Sequence, residues 1–91
     1  MVAEFLGMSM VVSMITPRQI RAARALLGWS QQQLADKAIV SLNALTRLEK
    51  GKVDSRVSTV AAIEKALTKS GIEFLPIDTK GEGVRFRSPK A

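Results

Sequence analysis

The chain contains neither cysteine nor histidine. Disulfides are thereby excluded, as are zinc sites built from Cys and His and nucleophiles activated by an imidazole. A cytoplasmic location fits a sequence without cysteine. Aromatic residues are scarce: Phe5, Trp29, Phe74 and Phe86 are all there are. A core must therefore come from Leu, Ile, Val and Ala, which suits helices packed on helices. No apolar run reaches the ~20 residues that span a bilayer, so no membrane anchor is expected. The most apolar stretch, residues 1–15, is interrupted by Glu4 and has no Lys or Arg to make the positive start of a signal peptide. Met8, Met10 and Met14 offer alternative starts. The stretch is either an extension from an early start codon or an arm, residues 8–15, that packs on a partner subunit.

What is present is the composition of one small folded domain: 91 residues, 46% hydrophobic and 24% charged. A chain this short buries a modest core and often gains stability by dimerising. Lys and Arg number 14 against 8 Asp and Glu, a net charge of +6. That imbalance favours a polyanionic partner, although a basic surface also keeps small proteins in solution.

Local signals place four helices. Thr16, Pro17 and Gln19 combine an N-cap, a proline at the first helical position and a capping-box glutamine. Ile20, Ala23 and Leu27 follow at helical spacing, and Gly28 ends the helix. Ser30 and Gln33 form a second capping box, whose helix turns Leu34, Ala35 and Ala38 inward. Ser41 caps a third helix to about Lys50, with Leu45 and Leu48 inward and Gly51 placed to stop it. Asp54 or Ser55 caps a fourth, to about Ser70, with Val57, Val60, Ile63 and Leu67 as its stripe. The tail then changes period. Residues 72–75 and 84–87 are strand-like around a turn-rich segment at 79–83, so a β-hairpin, or strands paired across a dimer, is expected. An isolated hairpin is marginal in water and should pack on something.

The stretch from Trp29 to Lys52 resembles the helix-turn-helix of the Cro/phage-repressor family, the XRE-type regulators. Trp29, Ser30 and Gln31, then Leu34 and Ala35, Val40 and Ser41, Leu45, and Leu48, Glu49, Lys50, Gly51 and Lys52 match without a gap. The joint Ser-Gln-x-x-Leu-Ala and Leu-Glu-x-Gly pattern is fairly specific, and the resemblance covers about residues 16–70. It implies a mainly α, compact, lambda-repressor-like fold with a short C-terminal hairpin or strand pair. The expected organisation is an extension at 1–15, a DNA-binding unit at 16–70 and a β tail at 71–91. It also implies that Gln31 grips a DNA phosphate, helped by the helix dipole, and that Arg24 pairs with Glu49 to fix the third helix. One residue departs from the pattern. The turn between the second and third helices usually carries glycine at positive φ, and here it carries Ile39. Either the turn bends differently or the chain bears the strain.

With Leu45 and Leu48 turned inward, Leu42, Asn43, Thr46 and Arg47 gather on the open face of the third helix. Asn43 can make two hydrogen bonds to an adenine edge and Arg47 to a guanine edge, while Leu42 and Ala44 can meet thymine methyls. Thr46 is short enough to let the helix sit deep. Ser41 can cap its helix, touch phosphate or do both, and Lys50 and Lys52 are further phosphate candidates. Each of these would look the same on an ordinary solvated face. Arg18, Arg21 and Arg24 recur every third residue, a spacing that drifts around a helix.

One short helix reads few base pairs, so a twofold dimer on a near-palindromic double-stranded DNA operator is expected, with the reading helices about 34 Å apart. Phe74, Leu75, Val84 and Phe86 are the candidates for the dimer contact; alternatively the tail covers its own core. The function this implies is a sequence-specific transcriptional regulator, autoregulatory in the manner of controller or Cro-like proteins, acting alone, through RNA polymerase or with a partner protein. An antitoxin that also binds its own operator, and an adaptor that uses the scaffold without DNA, are the rivals. No spacing suggests a catalytic pair, a phosphate loop, a metal site or a cofactor, so an enzyme is not expected.

Overall fold

The computed structural model describes residues 15–51, 56–78 and 80–88. Six elements follow in order: α1 (Pro17–Leu27), α2 (Gln31–Ala38), α3 (Leu42–Glu49), α4 (Val57–Lys69), β1 (Ile72–Leu75) and β2 (Gly83–Phe86). The architecture is four short helices followed by a two-stranded antiparallel sheet.

Both capping boxes form. The Thr16 hydroxyl accepts from the Gln19 amide at 3.1 Å and Gln19 Oε1 accepts from the Thr16 N–H at 2.9 Å. Ser30 and Gln33 repeat the exchange at 3.1 and 2.8 Å. Ser41 caps α3 by accepting from Ala44 N–H at 3.0 Å. The expected caps of α4, Asp54 and Ser55, lie outside the described residues. The helix itself begins at Val57, and Arg56 at its N-cap makes no side-chain cap bond.

The helix ends explain the turns. After α1, Gly28 (φ 71°) lets its own N–H reach Ala25 O at 3.2 Å and Trp29 N–H reach Arg24 O at 2.9 Å. After α2 the same pair of bonds recurs, from Ile39 N–H to Asp36 O at 3.3 Å and Val40 N–H to Ala35 O at 3.0 Å. Ile39 therefore holds the left-handed conformation, φ 58° and ψ 49°, that Gly28 holds in α1. The turn keeps its geometry and the β-branched residue bears the strain, about 1–2 kcal/mol.

The core is Ile20 and Ala23 from α1, Leu34 and Ala35 from α2, Leu45 and Leu48 from α3, Val60, Ile63 and Leu67 from α4, and Ile72 from β1. It is joined by Ile15, the one described residue of the expected arm, which packs on its own domain. Ala35 is fully buried, as a close helix approach requires. Val57 departs from its expected inward place: it is 70% exposed, whereas Val60, one turn further on, is buried.

The tail folds as a hairpin within one chain. Ile72 pairs with Phe86, Glu73 with Arg85, Phe74 with Val84 and Leu75 with Gly83. Residues directly opposite share a face. Ile72, Phe74, Val84 and Phe86 therefore form one apolar face; Ile72 is buried and the other three pack against the core. Of the residues expected at a dimer contact, Phe74, Val84 and Phe86 thus cover their own domain, while Leu75 shares the outer face with the Glu73–Arg85 ion pair. The hairpin is pinned by a residue read only as a capping glutamine. Gln19 is 4% exposed, and its Nε2 donates to Leu75 O and Gly83 O, both at 2.9 Å. Nearby, Glu82 accepts from Arg18 Nε at 2.9 Å, Arg18 Nη2 at 2.6 Å and the Thr16 hydroxyl at 3.3 Å.

Two outcomes follow for the hairpin. Gln19→Leu strands two carbonyls and the Thr16 N–H, and urea melts should show a loss of about 2–4 kcal/mol; a loss under 1 kcal/mol would mean that water replaces the amide. The Arg18 guanidinium holds the Glu82 carboxyl below its ordinary value of 4.5, with smaller help from a backbone hydrogen bond and the Thr16 hydroxyl. A carboxyl whose folded value is lowered stabilises fully above the unfolded value and loses that contribution as pH falls through the folded one. The melting-temperature gap between wild type and Glu82→Gln should be widest at neutral pH and close as pH falls below 4.5. A gap independent of pH would rule out the ion pair as its source.

Candidate nucleic-acid interface

Helix α3 is two-sided. Leu45 and Leu48 are buried on one side, and Asn43 and Arg47 are exposed on the other. Leu42 is 40% exposed. Thr46 is half-buried, and its hydroxyl donates to Leu42 O at 2.9 Å. Its oxygen lone pairs and methyl remain for a ligand, but its donor is already used.

The four residues do not point the same way. Asn43, Ala44 and Arg47 line an open groove of about 600 Å³ between α3 and the start of α4. Arg56, Ser58 and Thr59 line its α4 side, and Ile39, Val40 and Ser41 contribute from the turn. Leu42 and Thr46 lie outside it. Among the described residues no carboxylate lines the groove. Arginines on both walls, with no carboxylate among the described lining residues, suit an anionic strand. Arg56 carried no motif and was not expected at the site; only the packing of α4 against α3 brings it there.

The orientation of α3 is set at its C-terminal end. The Glu49 carboxylate, 3% exposed, accepts two bonds from Arg24: Nε to Oε2 at 2.7 Å and Nη2 to Oε1 at 2.9 Å. Arg24 Nη1 also donates to Trp29 O at 3.1 Å. Arg21 Nη1 donates to the Glu49 carbonyl, placing a cation at the helix C-terminus, where the dipole favours it. The Arg18, Arg21, Arg24 series therefore serves three separate contacts and forms no continuous basic stripe.

Gln31 joins the same cluster, donating from Nε2 to Glu49 Oε1 at 2.9 Å. It sits in the first turn of α2, as expected of a phosphate contact, with one amide hydrogen held inside the protein and one left for a ligand. The Ser41 hydroxyl is engaged as a cap but keeps its own proton to donate. Lys50 follows α3 and is exposed. Lys52 lies outside the described residues. Close to the cluster, the Lys37 ammonium stands 5.7 Å from the Trp29 ring.

A helix held rigidly on one side and polar on the other, set across a second short helix, defines a helix-turn-helix nucleic-acid-binding module. A helix-turn-helix family model matches residues 20–74, more than half of the chain, and the protein belongs to the Cro/C1-type helix-turn-helix family of XRE regulators. It is therefore a DNA-binding transcriptional regulator of that type. The match ends at β1; the strand β2 lies beyond it. No curated protein sequence matches the chain. Among the described residues no helix is long and apolar enough to cross a membrane.

Removing Arg24 tests the clamp. Arg24→Met leaves the buried Glu49 carboxylate without its ion-pair partner. Chemical denaturation should record a loss of about 3 kcal/mol, the low end of the range for buried pairs because Arg24 keeps some contact with water. A variant as stable as wild type would show that Gln31 and solvent suffice for the carboxylate.

Proposed function

We propose that this chain binds a near-palindromic operator as a homodimer, inserts α3 of each protomer into successive major grooves, and regulates its own promoter. The observation that carries the reading is the two-sidedness of α3: Leu45 and Leu48 are locked in the core, while Asn43 and Arg47 stand exposed along a groove free of carboxylates among the described residues. The net charge of +6 supports association with a duplex.

In this reading Asn43 and Arg47 read base edges, Asn43 by the two hydrogen bonds that adenine offers and Arg47 by those of guanine. Leu42, on the other flank of α3, packs on a thymine methyl, and Thr46 lets the helix approach. Gln31, Ser41, Lys50 and Lys52 hold phosphates and set the register without reading sequence. The Arg24–Glu49 pair supports α3 and touches no DNA. Pairing of protomers uses a surface away from α3, the outer side of the hairpin, where Leu75 lies.

Selection from a randomised duplex library, followed by footprinting upstream of the protein's own gene, tests the reading directly. A two-fold-related site is expected, with half-sites one helical turn apart. Arg47→Ala should cost about 1–3 kcal/mol and relax preference at one position of each half-site, whereas Lys50→Ala should weaken all duplexes alike and lower the salt slope by about 1. Arg47→Ala with an unaltered selected motif would remove Arg47 from base reading. Binding that ignores salt, or no binding to any duplex, would favour a protein-interaction role instead.

A further inference from the structure

Ile39 is the only residue other than glycine with positive φ among the described residues; at Gly28, Gly51, Gly71 and Gly81 the same region of backbone is held by glycine. Glycine adopts it without steric cost, and a β-branched side chain is among the least suited. Nothing inside the protein repays the difference, since the Ile39 side chain is 90% exposed. Burial therefore does not account for an isoleucine at a position where glycine would serve the backbone better. Strain kept at an exposed position points to a contact made outside the folded chain.

The surroundings of Ile39 indicate what makes that contact. It lines the same groove as Asn43, Arg47 and Arg56, with no carboxylate among the described lining residues. The occupant that matches this charge is an anionic polymer that also carries apolar surface. A DNA strand does both: its phosphates suit the arginine walls, and its deoxyribose faces and thymine methyls suit an aliphatic side chain.

We propose that Ile39 is a DNA contact, packing its side chain on a sugar or thymine methyl of the strand that lies in the groove between α3 and the start of α4. The inference rests on the reading of α3 as the helix that enters the major groove. It adds a residue at the turn to the surface expected from α3 itself, and it gives the strained conformation a use.

The experiment compares Ile39→Gly, Ile39→Asn and Ile39→Val, measured by thermal melting and by fluorescence anisotropy on the duplex selected by wild type. Glycine and asparagine both suit the left-handed region, so these two variants should melt at or above the wild-type temperature. They should nevertheless bind the selected duplex about 5–30-fold more weakly, the loss expected for one or two apolar groups taken from a contact. Ile39→Val keeps most of the aliphatic surface and should bind within about twofold of wild type. Glycine and asparagine variants that bind as tightly as wild type would overturn the inference, and so would a drop in their melting temperature, which would remove the strain it stands on. Arg47→Ala in the same assay separates the two readings: if it weakens binding to the selected duplex by about 5–150-fold while Ile39→Gly binds normally, only the Ile39 assignment falls. If Arg47→Ala is also silent, the placement of α3 in the groove falls with it.

Discussion

Glu49 ends α3 with its carboxylate withdrawn from water, and three side chains from two other helices converge on that one residue. Arg24 and Gln31 hold the carboxylate, and Arg21 holds the main-chain carbonyl. A charge so placed is costly unless it is paired and hydrogen-bonded. The geometry of the cluster consequently specifies a single arrangement of α1, α2 and α3. Hydrophobic packing alone would allow α3 to roll on Leu45 and Leu48, since apolar contacts are non-directional. The hydrogen bonds to Glu49 remove that freedom. The direction in which Asn43 and Arg47 point is thus decided at the C-terminal end of their own helix.

A second polar anchor does the same for the tail. A two-stranded hairpin has too little surface to stand alone. Here its apolar face rests on the core, and Gln19 bonds one carbonyl of each strand from a position inside the N-terminal turn of α1. The capping box of α1 and the docking of the hairpin share this side chain, so the start of the first helix and the end of the chain are mechanically joined. Glu82 reinforces the link from the rim through Arg18 and Thr16.

Much of this was legible because the signals are local. A capping box is complete within four residues, and those at Thr16 and Ser30 formed as read. The inward residues of α2 and α3 follow from helical spacing. Ile39 was legible as a conflict, because a β-branched residue stood where the turn needs positive φ; the structure resolved the conflict in favour of strain. What was not legible depends on contacts across the chain. Gln19 meets carbonyls 56 and 64 residues away, and no periodicity announces that. Val57 fits the apolar stripe of α4, but a stripe does not say whether a neighbour extends far enough to cover its first turn. Arg56 joins the groove only through the packing of α4. Gln31 was read by resemblance as facing phosphate, and its bond to Glu49 needed coordinates. The hairpin residues were read with two fates open, and inward packing accounts for three of the four.

Trp29 is the sole indole in the chain. It lies where α1 passes into α2, with its carbonyl tied to Arg24 and its ring facing the Lys37 ammonium. Its fluorescence therefore originates from one place, beside the cluster that orients the reading helix. The contact with that cation and the partial shielding of the ring from solvent both depend on that junction staying assembled, so the emission provides a label-free optical record of the clamp while the remainder of the molecule is spectroscopically silent in that band.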